Sequence, residues 1–571
     1  MTAMSSTFSF FTRCWTTVVA ACRRNPLLAG GIALIHLTAM VVNFWTEWGP
    51  EHKAAFLLTW AILNGFWLAL LRRPAISAAL SLAFILTLIK VSQLKHGVLW
   101  LTVDFVDLMI IDYGTVNYLF MVMPSLKTIV LISLLVTTMG LLVLYYFDPF
   151  RVRRTVASAV AVLSLAGLIG LSTVFPTETY EGFYGNSYVS HFARTGVDAV
   201  SAFLKNGYMD SAEAVRDRLE LANGSCAPAS KPPHIILIHD ESAFDARRIP
   251  GVQVPAGYAD HFKSFDGKSR EFIVEGNGGP SWYAEYNVLA GLSARSFGRF
   301  SYFVTRIADG RVERGLPMAL RRCGYQTFTV FPTLGVFMSA AGFQRTVGVQ
   351  NFIDARDMGT DVSQPDGFYY DHTAKLINRE RANGPMFLYV YVAANHFPWD
   401  YKWRPELTPE WSDHGNHPIV EEYLRRQILG MGDFAEFRAR LSLDFPDESF
   451  LIIRYGDHQP DFTATMIDPS ADEAEITRRL VTYDPRYYAT YYAIDVVNFK
   501  PVDLRSARTT LEGPHLPLVI QEIVGLPLDP SFTEQKRILE RCNGLFFNCS
   551  EGAEVRRFNR LLIDAGLIKN L

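Results

Sequence analysis

The stretch His234-Ile-Ile-Leu-Ile-His239-Asp240-Glu241-Ser242 decides how the second half of this 571-residue chain is read. A short unbroken apolar run that stops at acids is the pattern of a buried strand with polar groups at its carboxyl end. Runs of the same texture recur at 327–331, 386–392, 450–454 and 491–497, with helical stretches such as 311–323, 371–382 and 417–441 between them. Strands alternating with helices predict an α/β domain with a mainly parallel central sheet. In such sheets ligands bind beyond the carboxyl ends of the strands. Asp240-Glu241-Ser242 and Gly456-Asp457-His458 each follow an apolar run, so acids and a histidine far apart in sequence are expected at one edge.

Upstream the texture is different. Five apolar runs, at 27–46, 54–71, 74–94, 127–147 and 155–175, are each long enough to cross a hydrocarbon core of roughly 30 Å. Residues 98–111 are apolar but short and carry Asp104 and Asp107, which predicts an interfacial or re-entrant piece. Arg13, Arg23 and Arg24 precede the first run. Arg72 and Arg73 follow the second, and Arg151, Arg153 and Arg154 follow the fourth. Arginine thus marks alternate connections, placing the N-terminus in the cytoplasm and everything after about residue 176 outside it. The first run is too long, and lacks the small-residue cleavage site, for a removable signal peptide. The expected organisation is a transmembrane domain over 1–175, a juxtamembrane helix and linker over 176–232, and a catalytic domain over 233–571. Within the linker, 188–204 has helical spacing and 223–233 is a turn-rich hinge.

Composition agrees with a chain that is part membrane, part globular. Hydrophobic residues make up 49% and charged residues 19%, which excludes a disordered chain or a small disulfide scaffold. The net charge is −3 and no basic stripe interleaved with aromatics occurs, so no nucleic-acid partner is expected. Cys14 and Cys22 fall on the cytoplasmic side or in the membrane. Cys226, Cys323, Cys542 and Cys549 fall outside, where four cysteines allow three pairings; Cys542 with Cys549 would close a small loop.

Three motifs carry chemistry. In Arg454-Tyr-Gly-Asp457-His458, a carboxylate and an imidazole at a strand end can share a divalent cation, and Glu241 at another strand end strengthens that reading. In Gly276-Asn-Gly-Gly-Pro280-Ser281-Trp-Tyr-Ala-Glu285, a glycine-rich turn opens a helix whose free amides attract phosphate. Ser281 there is either a helix cap or a hydroxyl nucleophile, which a metal would activate. Asn395-His396-Phe-Pro-Trp399 offers His396 either as a turn residue packed on proline or as a group for a phosphate oxygen or a leaving group.

These pieces, in this chain order, resemble the sulfatase-like branch of the alkaline phosphatase superfamily. Within that branch they resemble the membrane phosphoglycerol transferases, including lipoteichoic acid synthases, and the lipid A phosphoethanolamine transferases. The resemblance implies that Glu241, Asp457 and His458 bind one divalent metal ion, zinc or manganese, with Ser281 as a further ligand. It implies Ser281 as the nucleophile, where relatives usually carry threonine, and His396 as a catalytic group that contacts the transferred phosphate. Glu285 is taken as a substrate-binding residue beside His396. Asp240 receives no role. Two departures matter. Phe337-Met338-Ser339-Ala340 lacks the arginine of the lipoteichoic acid synthases, and neither Ser281-Trp-Tyr-Ala-Glu nor Cys226-Ala-Pro-Ala-Ser has the arginine of the sulfatase maturation motif. Sulfate ester hydrolysis is therefore not expected.

The resulting expectation is a multi-pass protein of the bacterial inner membrane with its catalytic domain on the periplasmic side. It would move a phospholipid head group, phosphoglycerol or phosphoethanolamine, through a covalent serine to a glycan or lipid-linked sugar. The alternatives are a phosphodiesterase that uses water and a non-catalytic membrane assembly protein.

Overall fold

The computed structural model describes residues 24–571 except 100, 111–112, 114–115, 117–118, 121–122, 178–180, 220–225 and 227–230. Arg13, Arg23, Cys14, Cys22 and most of the 223–233 hinge lie outside the described residues. The chain forms two compact units, one of residues up to Leu108 with Met123–Ser201, the other of Met109–Val122 with Ala202–Leu571.

Among the described residues of the first unit, five helices are long and apolar enough to cross a membrane: α1 (Pro26–Thr46), α2 (Pro50–Leu71), α3 (Pro74–Leu99), α4 (Pro124–Phe147) and α5 (Arg154–Val174). They coincide with the five apolar runs. The first four begin at proline, whose missing N–H would have no helical partner at that position anyway. α4 leaves Leu131, Leu134, Leu135 and Leu142 each more than half exposed, a surface suited to lipid rather than water. The expected piece at 98–111 is a short 3₁₀ turn at Phe105–Ile110. Its acids are accounted for: Lys95 pairs with Asp107 at 2.7 Å, and Asp104 accepts from the Val106 amide. The helix expected near 188–204 runs over Tyr188–Asn206 as α6. Val189 and Phe192 at its start are buried with Phe56, Trp60 and Ile85 of α2 and α3.

The second unit is built on one eight-stranded sheet of order β4-β3-β5-β1-β6-β7-β2-β8. The strands are β1 (His234–Asp240), β2 (Arg270–Ile273), β3 (Gln326–Val330), β4 (Asn351–Ile353), β5 (Met386–Val392), β6 (Phe450–Gly456), β7 (Ala489–Val497) and β8 (Thr510–Glu512). β4, β3, β5, β1 and β6 run parallel, and β7 is antiparallel to β6 and β2. The sheet is thus mainly parallel, as expected.

Side chains alternate along β1, so Ile236 and Ile238 enter one core. That core also takes Leu388, Val390 and Ile452 from the sheet and Tyr370, Ile377, Phe434 and Phe437 from two covering helices, α8 (Asp366–Glu380) and α9 (Pro418–Asp444). The helix α7 (Ser281–Ala290) lies between β2 and β3 in sequence. Among the described residues two disulfides form, Cys226–Cys323 and the Cys542–Cys549 pair.

Candidate active site

Register places the site. Asp240 of β1 stands opposite Gly456 of β6 and Val392 of β5, so the three central strands end level. Glu241 and Asp457 are the next residues on two adjacent strands, and the turn that carries His396 leaves the third. Gly456 is required here: a Cβ would fall 1.7 Å from the Ala243 carbonyl oxygen, where the chain leaving β1 crosses.

The glycine-rich turn is tied to the same edge. The Gly278 amide donates to the Gln459 carbonyl at 3.0 Å, and that oxygen also lies 2.8 Å from His458 Nδ1. A proton on Nδ1 satisfies this contact and turns Nε2 toward the site. Ser281 is the first residue of α7, and the N-cap position is held by Pro280. The Ser281 Oγ lies 3.2 Å from Glu241 Oε2 and 3.2 Å from His458 Nε2. His458 Nε2 is 3.3 Å from Glu241 Oε1 and 3.4 Å from Asp457 Oδ2. Ligands about 2.0–2.1 Å from a tetrahedral zinc sit about 3.3 Å apart, so this spacing suits one cation.

The carboxylates are held by fixed donors. Asp457 Oδ1 accepts from the Ser242 and His458 amides at 2.7 and 2.8 Å. Glu241 accepts from the Ser242 hydroxyl at 2.7 Å and the Tyr391 hydroxyl at 2.5 Å. All four expected metal-site residues are buried. Burial alone would raise the Glu241 carboxyl, but the His458 hydrogen bond and the charges of His396 and His458 outweigh it and hold Glu241 well below the usual range. Burial lowers His458, yet the Asp457 charge and the Glu241 contact raise it to about 9. Two carboxylates thus concentrate on one point, where a proton or a cation balances them.

His239 joins this cluster, although the sequence reading passed over it as the last apolar-run residue. His239, Glu241 and Asp457 each present one ligand atom, all within 4.8 Å of one another. The signal was present: residues 239 and 241 are two apart on a strand edge, so they share a face. Asp240 faces the other way, accepts from Tyr491 at 2.5 Å and lies 3.8 Å from His261.

His396 sits half-buried in the turn after β5, its charge felt by Glu241. Arg426 of α9 braces this turn, donating to the carbonyls of His396 and Pro398 at 2.8 Å and being held itself by Glu422 at 2.6 Å. Glu285 is different from expectation. It is 1% exposed and accepts from Gln344 at 2.9 Å, so it lines no opening for substrate; one helical turn beyond Ser281 carries it inward from the strand edge. Burial lifts its carboxyl to about 7. The Phe337–Ala340 stretch does flank the site, Phe337 meeting the Trp282 ring at 6.0 Å between centroids.

Residues 283–490 match the family described as Sulfatase, a span that takes in His396, Asp457 and His458 and begins just after Ser281. No curated protein matches the chain. Solved structures similar to the chain include three of related description. The lipoteichoic acid synthase LtaP from Listeria monocytogenes is 16% identical, with 52% of this chain and 73% of that one covered and a TM-score of 0.38. The Streptococcus pyogenes phosphoglycerol transferase GacH, in complex with sn-glycerol-1-phosphate, is 14% identical, with 60% and 90% covered and a TM-score of 0.46. The lipooligosaccharide phosphoethanolamine transferase A from Neisseria meningitidis is 10% identical, with 83% and 95% covered and a TM-score of 0.47.

Proposed function

We propose, from a sulfatase-like domain joined to five membrane-type helices, a membrane-anchored phosphotransferase that moves a phospholipid head group through Ser281 to an exported glycan or lipid-linked sugar. The observation that carries this reading is the Ser281 hydroxyl, within 3.2 Å of both a buried carboxylate and a buried imidazole at the N-terminus of α7.

The donor set of two carboxylates, one imidazole and one hydroxyl fits a single divalent ion, zinc or manganese. When bound, that ion supplies Lewis-acid stabilisation of the serine alkoxide and of a phosphate oxygen. The chain's own groups do the rest. Glu241 and His458 fix the Ser281 side chain, and the α7 amides face the phosphate charge. Ser281 Oγ, its hydroxyl proton having passed to solvent, attacks phosphorus as the alkoxide, and the bond from phosphorus to the diacylglycerol oxygen breaks. His396 gives that oxygen a proton. An acceptor hydroxyl then attacks the phosphoserine, its proton passing back to His396, and the bond from phosphorus to Oγ breaks.

The proposed setting is the bacterial inner membrane with the catalytic unit on the periplasmic side. The Arg-rich alternate connections and the two disulfides support it, since disulfides persist in oxidising compartments. Incubation of the full chain with phospholipids, followed by mass spectrometry of the peptide containing Ser281, tests the reading. A phosphoglycerol or phosphoethanolamine adduct on Ser281 is expected, and its mass names the head group. Release of head group into water at the same rate with and without acceptor would make the protein a hydrolase instead. No adduct and no release would leave a non-catalytic membrane protein.

A further inference from the structure

The metal site assembled above leaves two buried atoms unsatisfied. Asp457 Oδ2 and His239 Nε2 have no hydrogen-bond partner, although they lie 3.1 Å apart. The distance would allow a bond, so its absence is one of direction: the imidazole N–H axis does not aim at the oxygen. His239 is wholly buried, and an unmet polar nitrogen at such a depth is costly. The other Asp457 oxygen is already saturated by two amides, so Oδ2 is the one free to face a ligand.

The rest of His239 is fixed firmly. Nδ1 lies 2.7 Å from both the Tyr389 and the Tyr455 hydroxyls, which are 3.1 Å from each other. The ring stacks on Tyr391 with centroids 3.9 Å apart, and Tyr391 in turn donates to Glu241. One ring nitrogen is thus anchored on oxygen while the other points among carboxylates. This is how an imidazole is held when it ligates a metal, since the anchored nitrogen sets the tautomer and the ring plane. Two atoms bound to one ion at about 2.0–2.2 Å can lie at most about 4.4 Å apart, and neighbouring ligands about 3 Å apart; the 3.1 Å spacing to Asp457 Oδ2 falls in the second class.

We infer that His239 Nε2 is a further ligand of the metal, making the site a two-imidazole one with Glu241, Ser281, Asp457 and His458. This rests on the metal-dependent reading above and deepens it. A second imidazole moves the donor set away from the all-oxygen sites that suit magnesium and calcium, and favours zinc over manganese. The tyrosine pair beneath the ring then acts as a positioning layer, holding Nε2 toward the ion.

The test uses the full-length protein in detergent, stripped and reloaded with zinc alone or manganese alone. X-ray absorption of the zinc form should count two imidazoles per metal in the wild type and one in His239→Gln. Chelator competition should show zinc affinity falling by roughly 100-fold or more in that variant, with manganese affinity falling less. Ser281→Ala should keep both imidazoles while losing turnover, which separates the ligand assignment from the nucleophile assignment. The wild-type imidazole count needs no variant to fold. A single imidazole in the wild type, or unchanged zinc affinity in a folded His239→Gln protein, would overturn the inference. Failure of the wild type to bind either metal would overturn it together with the metal-dependent reading.

Discussion

Ser281 separates the catalytic reading from a merely structural one. A lost helix cap costs ~1 kcal/mol, but the N-cap of α7 is Pro280, not Ser281, so Ser281→Ala should leave the unfolding midpoint nearly unchanged. Loss of a covalent nucleophile should lower turnover by several orders of magnitude, each factor of ten being about 1.36 kcal/mol of barrier. Head-group transfer at the wild-type rate by a stable Ser281→Ala protein would end the nucleophile assignment. Asp457→Asn should lower bound metal and activity together, because Oδ2 faces the cluster and Oδ1 only accepts from amides. Full metal content with full activity would remove Asp457 from the site. Glu285 gives a pH prediction. Its folded carboxyl sits near 7, above its ordinary value near 4.5, so the stability it contributes is present below about pH 4.5 and lost as pH rises through 7. Glu285→Gln keeps an oxygen for Gln344 and does not ionise. Denaturant curves from pH 5 to 8 should therefore fall less steeply for the variant, by up to ~3 kcal/mol across the range. Parallel curves for the two proteins would rule this out. Most of the cluster could be read from the sequence because each acid follows an apolar run. His239 is legible only through its two-residue spacing from Glu241 at the end of β1, and Glu285 could not be seen to turn inward, because that depends on which face meets which neighbour.

The same division holds for elements. Long, evenly apolar or strictly punctuated segments were legible: the five membrane helices, β1, β5, β6, and the 27-residue α9. β2, β4 and β8 have four, three and three residues, too short to stand out as apolar runs, and pairing with longer strands creates them. Helix packing was also hidden, since the membrane helices are apolar on every side. One contact there is specific. A Cβ on Gly65 of α2 would lie 2.9 Å from the Ala157 carbonyl oxygen and from the Ala161 Cβ of α5, so two backbones meet at a small-residue seam. Gly65→Leu should destabilise the helical unit by about 1–3 kcal/mol, whereas Gly140→Leu on α4, where nothing lies within 4 Å, should be tolerated. Unfolding in graded denaturing detergent compares them, and equal midpoints would dismiss the seam. The Cys226–Cys323 bridge spans 97 residues of chain. Replacing both cysteines with serine should cost about 2–4 kcal/mol, seen as a lower denaturant midpoint without reductant.

At the scale of the molecule, function depends on which side of a membrane the sulfatase-like unit occupies. Two Arg-rich connections meet at one end of the helical unit. The Val152 amide donates to the Arg72 carbonyl at 2.9 Å, Arg73 donates to the Asp148 carbonyl at 3.1 Å, and Asp148 accepts from the Ala75 amide at 2.7 Å. The turn after α2 and the turn after α4 are therefore neighbours, as alternation along an up-and-down bundle requires. The opposite end is different: the α1–α2 connection meets the start of α6, where the Ser187 amide donates to the Thr46 carbonyl and Val189 donates to Glu47. Arginine beside membrane spans stays on the cytoplasmic side, so the end that holds Arg72, Arg73, Arg151 and Arg153 is assigned to the cytoplasm. Five crossings would carry residues after α5 to the other side, within reach of the lipid donor and exported acceptor proposed above. A reporter that works only after export, fused behind Leu571, should be active, and one that works only in the cytoplasm should be silent. Replacing Arg72, Arg73, Arg151, Arg153 and Arg154 with asparagine should blur that difference, because only Arg13, Arg23 and Arg24 of the orienting arginines would remain. A cytoplasmic signal from the unmodified fusion would reverse the assignment, remove the lipid donor and acceptor from reach of Ser281, and set the transferase reading aside.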